Sequence, residues 1–361
     1  MKEIVDTWFS RAGALPLSFT WSGLVEKEEA EINSILRPLA SQLIDLRIRF
    51  SSASRVSDLI DNVSFPLLQT LDLTGGSGIA PSPAALPIFT FRESPRLRYL
   101  VLHGISPASL IGVRWERLER LSVTNVQECL DVLSRCTSLL MYEPYGSSQN
   151  SYHADQQTIS HPQVTNLVLA SNNHEMLRYL ALPALRDLTL CVQRLGDEDM
   201  LSFLSRSRGE LRSFTVYYVG QGPLVLALPW FQYMMYLTIL SLSELAAQSR
   251  TNFVRALNRQ HDPGFLPALE TLMLTDWKSD QLDTQAVDAL HSRTASQEAE
   301  RGKTALTQLK SFVFLWMPEG PYTADSAGMK SLIRDHRVVL RDLEMRGMEV
   351  YVGTESKNHF G

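Results

Sequence analysis

The sequence predicts an α/β fold in which parallel strands and outer helices alternate along the chain. Two observations carry this prediction. A leucine-x-x-leucine-x-leucine phrase returns along almost the whole chain, with clear copies at residues 118–123 and 185–190. Between these phrases, the apolar residues change to the spacing of an amphipathic helix. A strand followed by a helix, repeated many times, gives parallel strands that are joined by crossover connections.

The phrase occurs about twelve times when Val, Ile, Phe, Met or Tyr is allowed in place of Leu and one Pro at the last position. Successive phrases begin 21 to 40 residues apart, and several intervals fall within the roughly 20–29 residues of leucine-rich repeats. Apolar residues alternate within each phrase, as they do in strands. We therefore predict a leucine-rich-repeat-like solenoid, or horseshoe, with a parallel concave sheet, outer helices, irregular repeats and capped ends. The phrases begin at Leu43, Leu68, Leu97, Leu118, Leu139, Val164, Leu185, Leu211, Leu237, Leu269, Leu309 and Leu340.

Helical segments are predicted between the phrases. In residues 126–136, Val126, Cys129, Leu130 and Leu133 share one helical face, and acidic residues stand near the start. Comparable spacing predicts further helices at residues 56–63, 197–208, 249–259, 283–293 and 326–336.

The two ends of the chain are predicted to cap the repeats. We expect an N-terminal cap at 1–42, a solenoid of about twelve units at 43–346, and an edge strand and tail at 347–361, all in one elongated domain. Within the N-terminal cap, residues 14–21 alternate like a first strand and residues 26–36 resemble a helix. Terminal repeats need such atypical sequences to shield the open core. Polar or Gly/Pro-rich stretches predict loops at 74–87, 145–160 and 294–304.

Composition narrows the classes of function. The chain has 34 basic and 39 acidic residues and a net charge of −5, so we expect no nucleic-acid partner. No apolar run is long enough to span a membrane and no signal peptide is visible, so we expect no membrane partner. Cys129, Cys136 and Cys191 are an odd number of cysteines, which favours a reducing cytoplasmic or nuclear location and buried, unpaired thiols.

The search for catalytic or metal-binding spacing gives a negative expectation. The eight histidines show no metal-ligand spacing. Residues 301–304 end like a phosphate-binding loop, but Gln297 stands where that motif needs glycine. We therefore expect no enzymatic activity, no cofactor and no metal site.

The alternation within the phrases predicts a binding face. If the leucines point into the core, the third, fifth and seventh residues of each phrase face the concave side. Their charges are mixed in sign, so a protein target fits better than a polyanion. This set comprises Asp45, Arg47, Arg49, Thr70, Asp72, Tyr99, Val101, His103, Arg120, Ser122, Met141, Glu143, Tyr145, Ser213, Thr215, Tyr217, Thr271, Met273, Ser311, Val313, Leu315, Asp342, Glu344 and Arg346.

Large aromatic residues follow several phrases at the predicted strand exits. They stand six to eight residues after the start of a phrase, and stacked repeats would bring them toward one rim. Aromatic residues often anchor protein interfaces, although the pattern favours rings that each cover the end of the local core. The predicted partner-binding residues are Tyr145, Tyr217, Tyr218, Trp277 and Trp316 at the rim, and Arg47, His103, Arg120 and Glu143 on the strands.

Segments along nearly the whole chain carry a resemblance to a known family. They are residues 8–18, 265–272, 309–312 and 347–353. The chain resembles fungal, mushroom-type F-box proteins with divergent leucine-rich repeats. The resemblance implies a substrate receptor of a ubiquitin ligase, in which an F-box binds the Skp adaptor and the repeats select a target protein. No F-box is visible in this chain, so a Skp-type adaptor is expected only if an F-box exists outside it. The alternative is a free repeat scaffold or inhibitor that binds another protein without ligase coupling.

Overall fold

The structure is a computed structural model. The chain is divided into two compact units. The first unit comprises Met1–Val164 and Val168–Met176, and the second comprises Thr165–Leu167 and Leu177–Gly361. The residues that the structure describes are 13–22, 35–50, 63–75, 89–90, 94–124, 126–144, 157–170, 173–192, 196–218, 225–243, 245–275, 284–294, 307–315, 337–354 and 357–358.

The first unit is built on parallel strands that follow one another in chain order. Its strands are β1 (Leu17–Ser22), β2 (Leu43–Phe50), β3 (Thr70–Gly75), β4 (Phe89–Thr90), β5 (Tyr99–His103), β6 (Leu110–Ile111), β7 (Arg120–Val123), β8 (Met141–Pro144) and β9 (Ile159–Ser160). The order β1-β2-β3-β5-β7-β8 is parallel throughout, and β4 pairs with β6 separately. Helix α1 spans Val126–Leu133, short 3₁₀ helices span Pro107–Ser109 and Trp115–Arg117, and residues 35–39 are helical.

The second unit repeats this arrangement, and strand β10 (Asn166–Ala170) contains the division between the units. Strands β12 to β17 follow in chain order and are parallel, and β18 adds an antiparallel edge. The further strands are β11 (Leu180–Ala181), β12 (Asp187–Val192), β13 (Ser213–Tyr218), β14 (Ile239–Leu242), β15 (Thr271–Thr275), β16 (Ser311–Leu315), β17 (Glu349–Thr354) and β18 (Lys357–Asn358). The helices are α2 (Asp197–Arg206), α3 (Ala247–Leu257), α4 (Thr284–Thr294), 3₁₀ helices at Asn173–Tyr179 and Leu228–Tyr233, and residues 337–345.

The predicted α/β class with a mostly parallel sheet is confirmed. Helices occupy four of the predicted segments, namely α1 to α4, and the predicted first strand is β1. Predicted helix 26–36 reaches the described residues only at its end, where residues 35–39 are helical. Predicted helix 326–336 and nearly all of 56–63 lie outside the described residues.

Shared backbone carbonyls fix where many of the described strands begin. The carbonyl oxygen of Arg212, the second residue of its phrase, accepts the N–H groups of Thr238 and Ile239 at 2.8 and 2.9 Å. These donors are the second and third residues of the next phrase. The same bifurcated pattern places successive phrases in matching register. The carbonyls that accept in this way within the described residues are those of Gln69, Arg98, Glu119, Thr165, Arg186, Arg212, Thr238 and Glu270.

The core lies on the leucine side of the strands. On β3, Leu71 and Leu73 are fully buried, whereas Thr70, Asp72 and Thr74 between them are partly exposed. This is the alternation that the phrase predicts. Because each strand presents its leucines to the same side, the residues between them form a second, open side of the sheet.

The prediction of a strand at the twelfth phrase, which begins at Leu340, is wrong. Residues 337–345 form a helix, and the strand follows at Glu349–Thr354, within the predicted edge segment. Leu340 and Leu343 are fully buried, whereas Met345 is 79% exposed. A leucine-x-x-leucine spacing also places two residues on one helical face, and Met345 completes the strand pattern by chance. Asp342, Glu344 and Arg346 therefore do not belong to the open side of a strand; Asp342 pairs with Arg346 at 2.8 Å.

A fully buried arginine joins helix α4 to the segment after helix α3. The guanidinium of Arg293 donates to the backbone carbonyls of Leu257, Leu266 and Phe265 at 2.7, 2.8 and 2.5 Å. Burial, followed by the neighbouring Arg259, lowers the pKa of Arg293 to about 9, so the group stays charged at neutral pH. Three carbonyl dipoles thus replace the carboxylate that a buried cation usually needs.

The cysteines are free thiols where the structure describes them. Cys136 is buried and Cys191 is half-buried. Burial raises the pKa of the Cys136 thiol to about 12, which keeps it protonated and unreactive at neutral pH. The side chain of Cys129 lies outside the described residues.

Candidate functional site

The open side of the first unit carries polar side chains in parallel rows. We call this set of rows on β1, β2, β3, β5, β7 and β8 the open face. Residues that face each other across neighbouring strands stand in the same row, because the strands are parallel and in register. The central row contains Thr20, Arg47, Asp72, Val101, Ser122 and Glu143, and the row before it contains Ser18, Asp45, Thr70, Tyr99, Arg120 and Met141. The row after it contains Ser22, Arg49, Thr74 and His103.

Two arginines on the open face form ion pairs with recessed carboxylates. Arg47 donates from Nε and Nη2 to the two oxygens of Asp45 at 3.1 and 2.9 Å. Arg120 Nη2 lies 3.0 and 2.8 Å from the two oxygens of Glu143 on the next strand. The arginine side chains are 53% and 43% exposed, but those of Asp45 and Glu143 only 23% and 8%. The guanidinium groups therefore form the outer layer of the open face.

The electrostatic environment keeps Arg47 charged. The hydrogen bonds that Arg47 donates to Asp45 and the charge of that carboxylate raise the pKa of Arg47 above its ordinary value, and the charge of Asp72 on the neighbouring strand adds to this. Asp72 is itself held by Thr74, whose hydroxyl donates to it at 2.7 Å. Each acidic group near Arg47 is thus already engaged within the face.

His103 lies beside the central row. Its Nε2 is 3.2 Å from the Ser122 hydroxyl oxygen on the neighbouring strand. Burial lowers the pKa of His103, against a smaller opposing effect of Asp72 and Glu143. The imidazole is therefore neutral at neutral pH, and the ring packs as a polar but uncharged part of the face.

Apolar side chains stand between the two arginines. Tyr99 is on β5, in the row of Arg120, and remains 39% exposed. Val101 follows it in the row of Arg47 and is half-buried. At the entrance to the strands, Arg98 and Glu119 form a further ion pair. The open face therefore combines apolar side chains on β5 with charged groups on both sides of them, among them Asp72 on β3, and protein interfaces also mix apolar and polar groups.

The corresponding side of the second unit has a different chemistry. The row that follows the first buried apolar residue of each strand there contains Thr189, Thr215, Ser241, Met273, Val313 and Tyr351. No charged side chain stands in this row. Tyr217, further along β13, is 43% exposed. The row before that of Thr189, from Asp187 to Glu349, contains two acids and no arginine. In these rows, exposed arginines are therefore a feature of the open face of the first unit.

The predicted binding residues divide into those the structure places together and those it does not describe. Arg47, His103, Arg120 and Glu143 all lie on the open face of the first unit. Tyr217 lies in the second unit, on β13. The rim that was to unite the aromatic residues stays a prediction, because Tyr145, Trp277, Trp316 and the side chain of Tyr218 lie outside the described residues.

No protein-family model and no curated protein sequence matches the chain.

Metal-binding clusters and membrane-spanning helices are both absent from the described residues. No group of three or more His, Cys, Asp or Glu side chains there is arranged to hold a metal ion. In the same part of the chain, no helix has the length and apolar character to cross a membrane.

An exposed apolar group in the second unit escaped the sequence reasoning. Met235 and Tyr236 stand in the turn before β14 and are 47% and 59% exposed, and Ile239 begins the strand. The sequence held a signal, since the two residues before the phrases at Leu185, Leu211 and Leu269 are Pro183-Ala184, Gly209-Glu210 and Pro267-Ala268, none of them large and apolar. Large apolar residues at this turn position have no core to enter, so they remain at the surface.

Proposed function

We propose that this chain is a protein-binding leucine-rich-repeat solenoid, a horseshoe with a concave sheet, that serves as the substrate-recognition part of an F-box type ubiquitin-ligase receptor. The observation that carries the binding proposal is the open face, where arginines and an exposed tyrosine stand on parallel strands in register. Strands in chain order, buried leucines and shared carbonyls support the repeat architecture.

The composition of the open face supports a protein partner. Arginine and tyrosine are enriched at the residues that contribute most to interface affinity. The ion pairs of Arg47 and Arg120 hold these side chains in place before a partner arrives, which lowers the entropic cost of binding. The acidic residues among them make the face a poor match for a polyphosphate backbone.

Partner capture tests the binding proposal. The chain and an Arg47→Glu variant are immobilised, and proteins retained from an extract of the source organism are compared quantitatively. We expect at least one protein to be retained by the chain, to be lost from the variant, and to bind the chain again after its own purification. Arg212→Glu in the second unit is the matched control, because Arg212 is equally exposed and also paired with an acid. Equal retention by the chain and by Arg47→Glu would contradict binding through the open face.

The ligase part of the proposal has a separate test. The gene is read upstream of Met1 for an F-box, and the chain and any extended chain are co-expressed with the Skp adaptor. The ligase role requires the adaptor to co-purify with the form that contains the F-box. If no form retains the adaptor while the target is still captured, the chain is a free repeat scaffold or inhibitor.

A further inference from the structure

The chemistry of the open face restricts the kind of protein segment that fits it. Arg47 and Arg120 are about half exposed, while the carboxylates that pair with them are recessed beneath. An approaching chain therefore meets guanidinium groups first. A guanidinium has five N–H donors, and these pairs use two of them on Arg47 and one nitrogen on Arg120. Donors remain on both residues for a second carboxylate.

The strand positions set the distance between the two guanidinium anchors. Arg47 is on β2 and Arg120 on β7, with β3 and β5 between them. Three strand spacings of about 4.8 Å and an offset of two residues along the strand separate them by about 16 Å. An extended segment that crosses the strands covers this distance in about five residues, at about 3.3 Å per residue.

The side chains between the anchors define what such a segment carries at its centre. Tyr99 and Val101 lie on β5, between the strands of the two arginines, and Tyr99 is exposed. Neutral His103 and Ser122 stand next to Val101. On β3, between Arg47 and these residues, lie Thr70 and Asp72, and the Asp72 carboxylate accepts the Thr74 hydroxyl. The order across the strands is therefore guanidinium, engaged carboxylate, apolar surface and guanidinium. An apolar residue between two acidic ones matches this order when it lies nearer the acid that binds Arg120.

We infer that the open face of the first unit binds an extended acidic segment of a partner protein, in which two Asp or Glu residues about five positions apart flank an apolar residue. This inference rests on the proposed protein-binding function and names the class of partner for it. Carboxylates of the segment bind Arg47 and Arg120 with charge-assisted hydrogen bonds, and the apolar residue packs on Tyr99.

Synthetic peptides test the inference directly. The probe is a fluorescently labelled peptide of Ser, Gly and Ala that carries two Glu residues five positions apart with Leu between them. A matched peptide has Gln in place of both Glu residues, and a second has the two Glu residues adjacent to one another. We expect the first peptide to bind at least about tenfold more tightly than either, since losing two charged hydrogen bonds commonly costs this much or more. Equal binding of the Glu and Gln peptides overturns the inference.

Variants of the protein locate the binding. Arg47→Gln removes one anchor, and Arg120→Gln combined with Glu143→Gln removes the other without leaving the recessed carboxylate unpaired. Each is expected to abolish the preference for the Glu peptide. A cooperative thermal unfolding transition shows that each variant is folded. Arg212→Gln is the control and is expected to keep the preference. If Arg212→Gln weakens binding as much as Arg47→Gln, the attraction is general and the inference is overturned.

Two further outcomes of these binding experiments would overturn the inference. If a single-stranded oligothymidylate competes with the Glu peptide at equal concentration, the face recognises polyanions, and the acidic-protein inference fails. If no peptide binds while capture of a protein from extract still depends on Arg47, the proposed function stands and the acidic class of partner is overturned.

Discussion

At the scale of the single residue, a buried charge that is held by backbone carbonyls has the largest expected effect. Arg293 is fully buried and donates to three backbone carbonyls. We predict that Arg293→Met lowers the free energy of unfolding by about 3–5 kcal/mol, because the carbonyls lose their donors inside the protein. Urea unfolding followed by circular dichroism measures this. Arg208→Met, at an exposed position, is the control, and a loss below about 1 kcal/mol for Arg293→Met would show that the carbonyls find other donors.

His103 gives a pH-dependent prediction at the same scale. Because burial lowers its pKa in the folded protein below the ordinary value of 6.5, the unfolded chain takes up the proton first as the pH falls. The contribution of the neutral imidazole to stability is therefore complete above pH 6.5 and is lost as the pH decreases below it. We predict that the stability advantage of the native chain over His103→Asn shrinks between pH 7.5 and pH 5. Urea unfolding at several pH values checks this against His261→Asn, an exposed histidine; a constant difference would contradict it.

At the scale of the element, the helix at residues 337–345 can be distinguished from the strand that its leucines suggest. Leu343 is fully buried, but Met345 is exposed. We predict that Leu343→Ala lowers the free energy of unfolding by about 2–5 kcal/mol, whereas Met345→Ala changes it by less than about 0.5 kcal/mol. A strand would bury both residues, so equal and large losses in thermal or urea unfolding would favour the strand.

The turn after helix α2 tolerates no side chain at Gly209. A Cβ atom there would lie 2.6 Å from the carbonyl oxygen of Pro183 and 3.0 Å from that of Leu185. We predict that Gly209→Ala costs about 1–3 kcal/mol of unfolding free energy, because two backbone segments must move apart. At Gly264 the nearest atom is 3.6 Å away, on Asp262, so Gly264→Ala should change stability by less than about 1 kcal/mol. Similar values for both variants in urea unfolding would show that the turn adjusts.

The elements also show what the sequence can and cannot predict. Alternation placed the strands correctly where Leu71 and Leu73 enter the core, because a period of two distinguishes a strand from a helix. It failed at Leu340, because the spacing of three residues between Leu340 and Leu343 fits both the phrase of a strand and one face of a helix. It predicted that Arg120 and Glu143 share a face, but not that the carboxylate lies beneath the guanidinium. That relation depends on side-chain conformation and on the neighbouring strand, which no local pattern encodes.

At the scale of the whole molecule, the chain is divided into two compact units. In repeat architectures each element contacts mainly its neighbours in sequence, so damage stays local. We predict that hydrogen exchange of Gly209→Ala increases in β12, β13 and β14 more than in β2, β3 and β5. Mass spectrometry of peptic peptides measures this exchange under conditions in which the native state is populated. An equal increase in both sets of strands would show that the chain unfolds as one cooperative unit.

The shared carbonyls have a consequence for how this chain can evolve. At Arg212 the shared carbonyl also accepts the Thr238 hydroxyl at 3.0 Å, but at Arg98, Glu119 and Glu270 it accepts main-chain N–H groups, and the side chains there are not needed for these bonds. Natural variation can exchange these residues, and lengthen the connections between phrases, without shifting the pairing of the strands. Selection for a new partner can thus act on the surface while the scaffold stays in place.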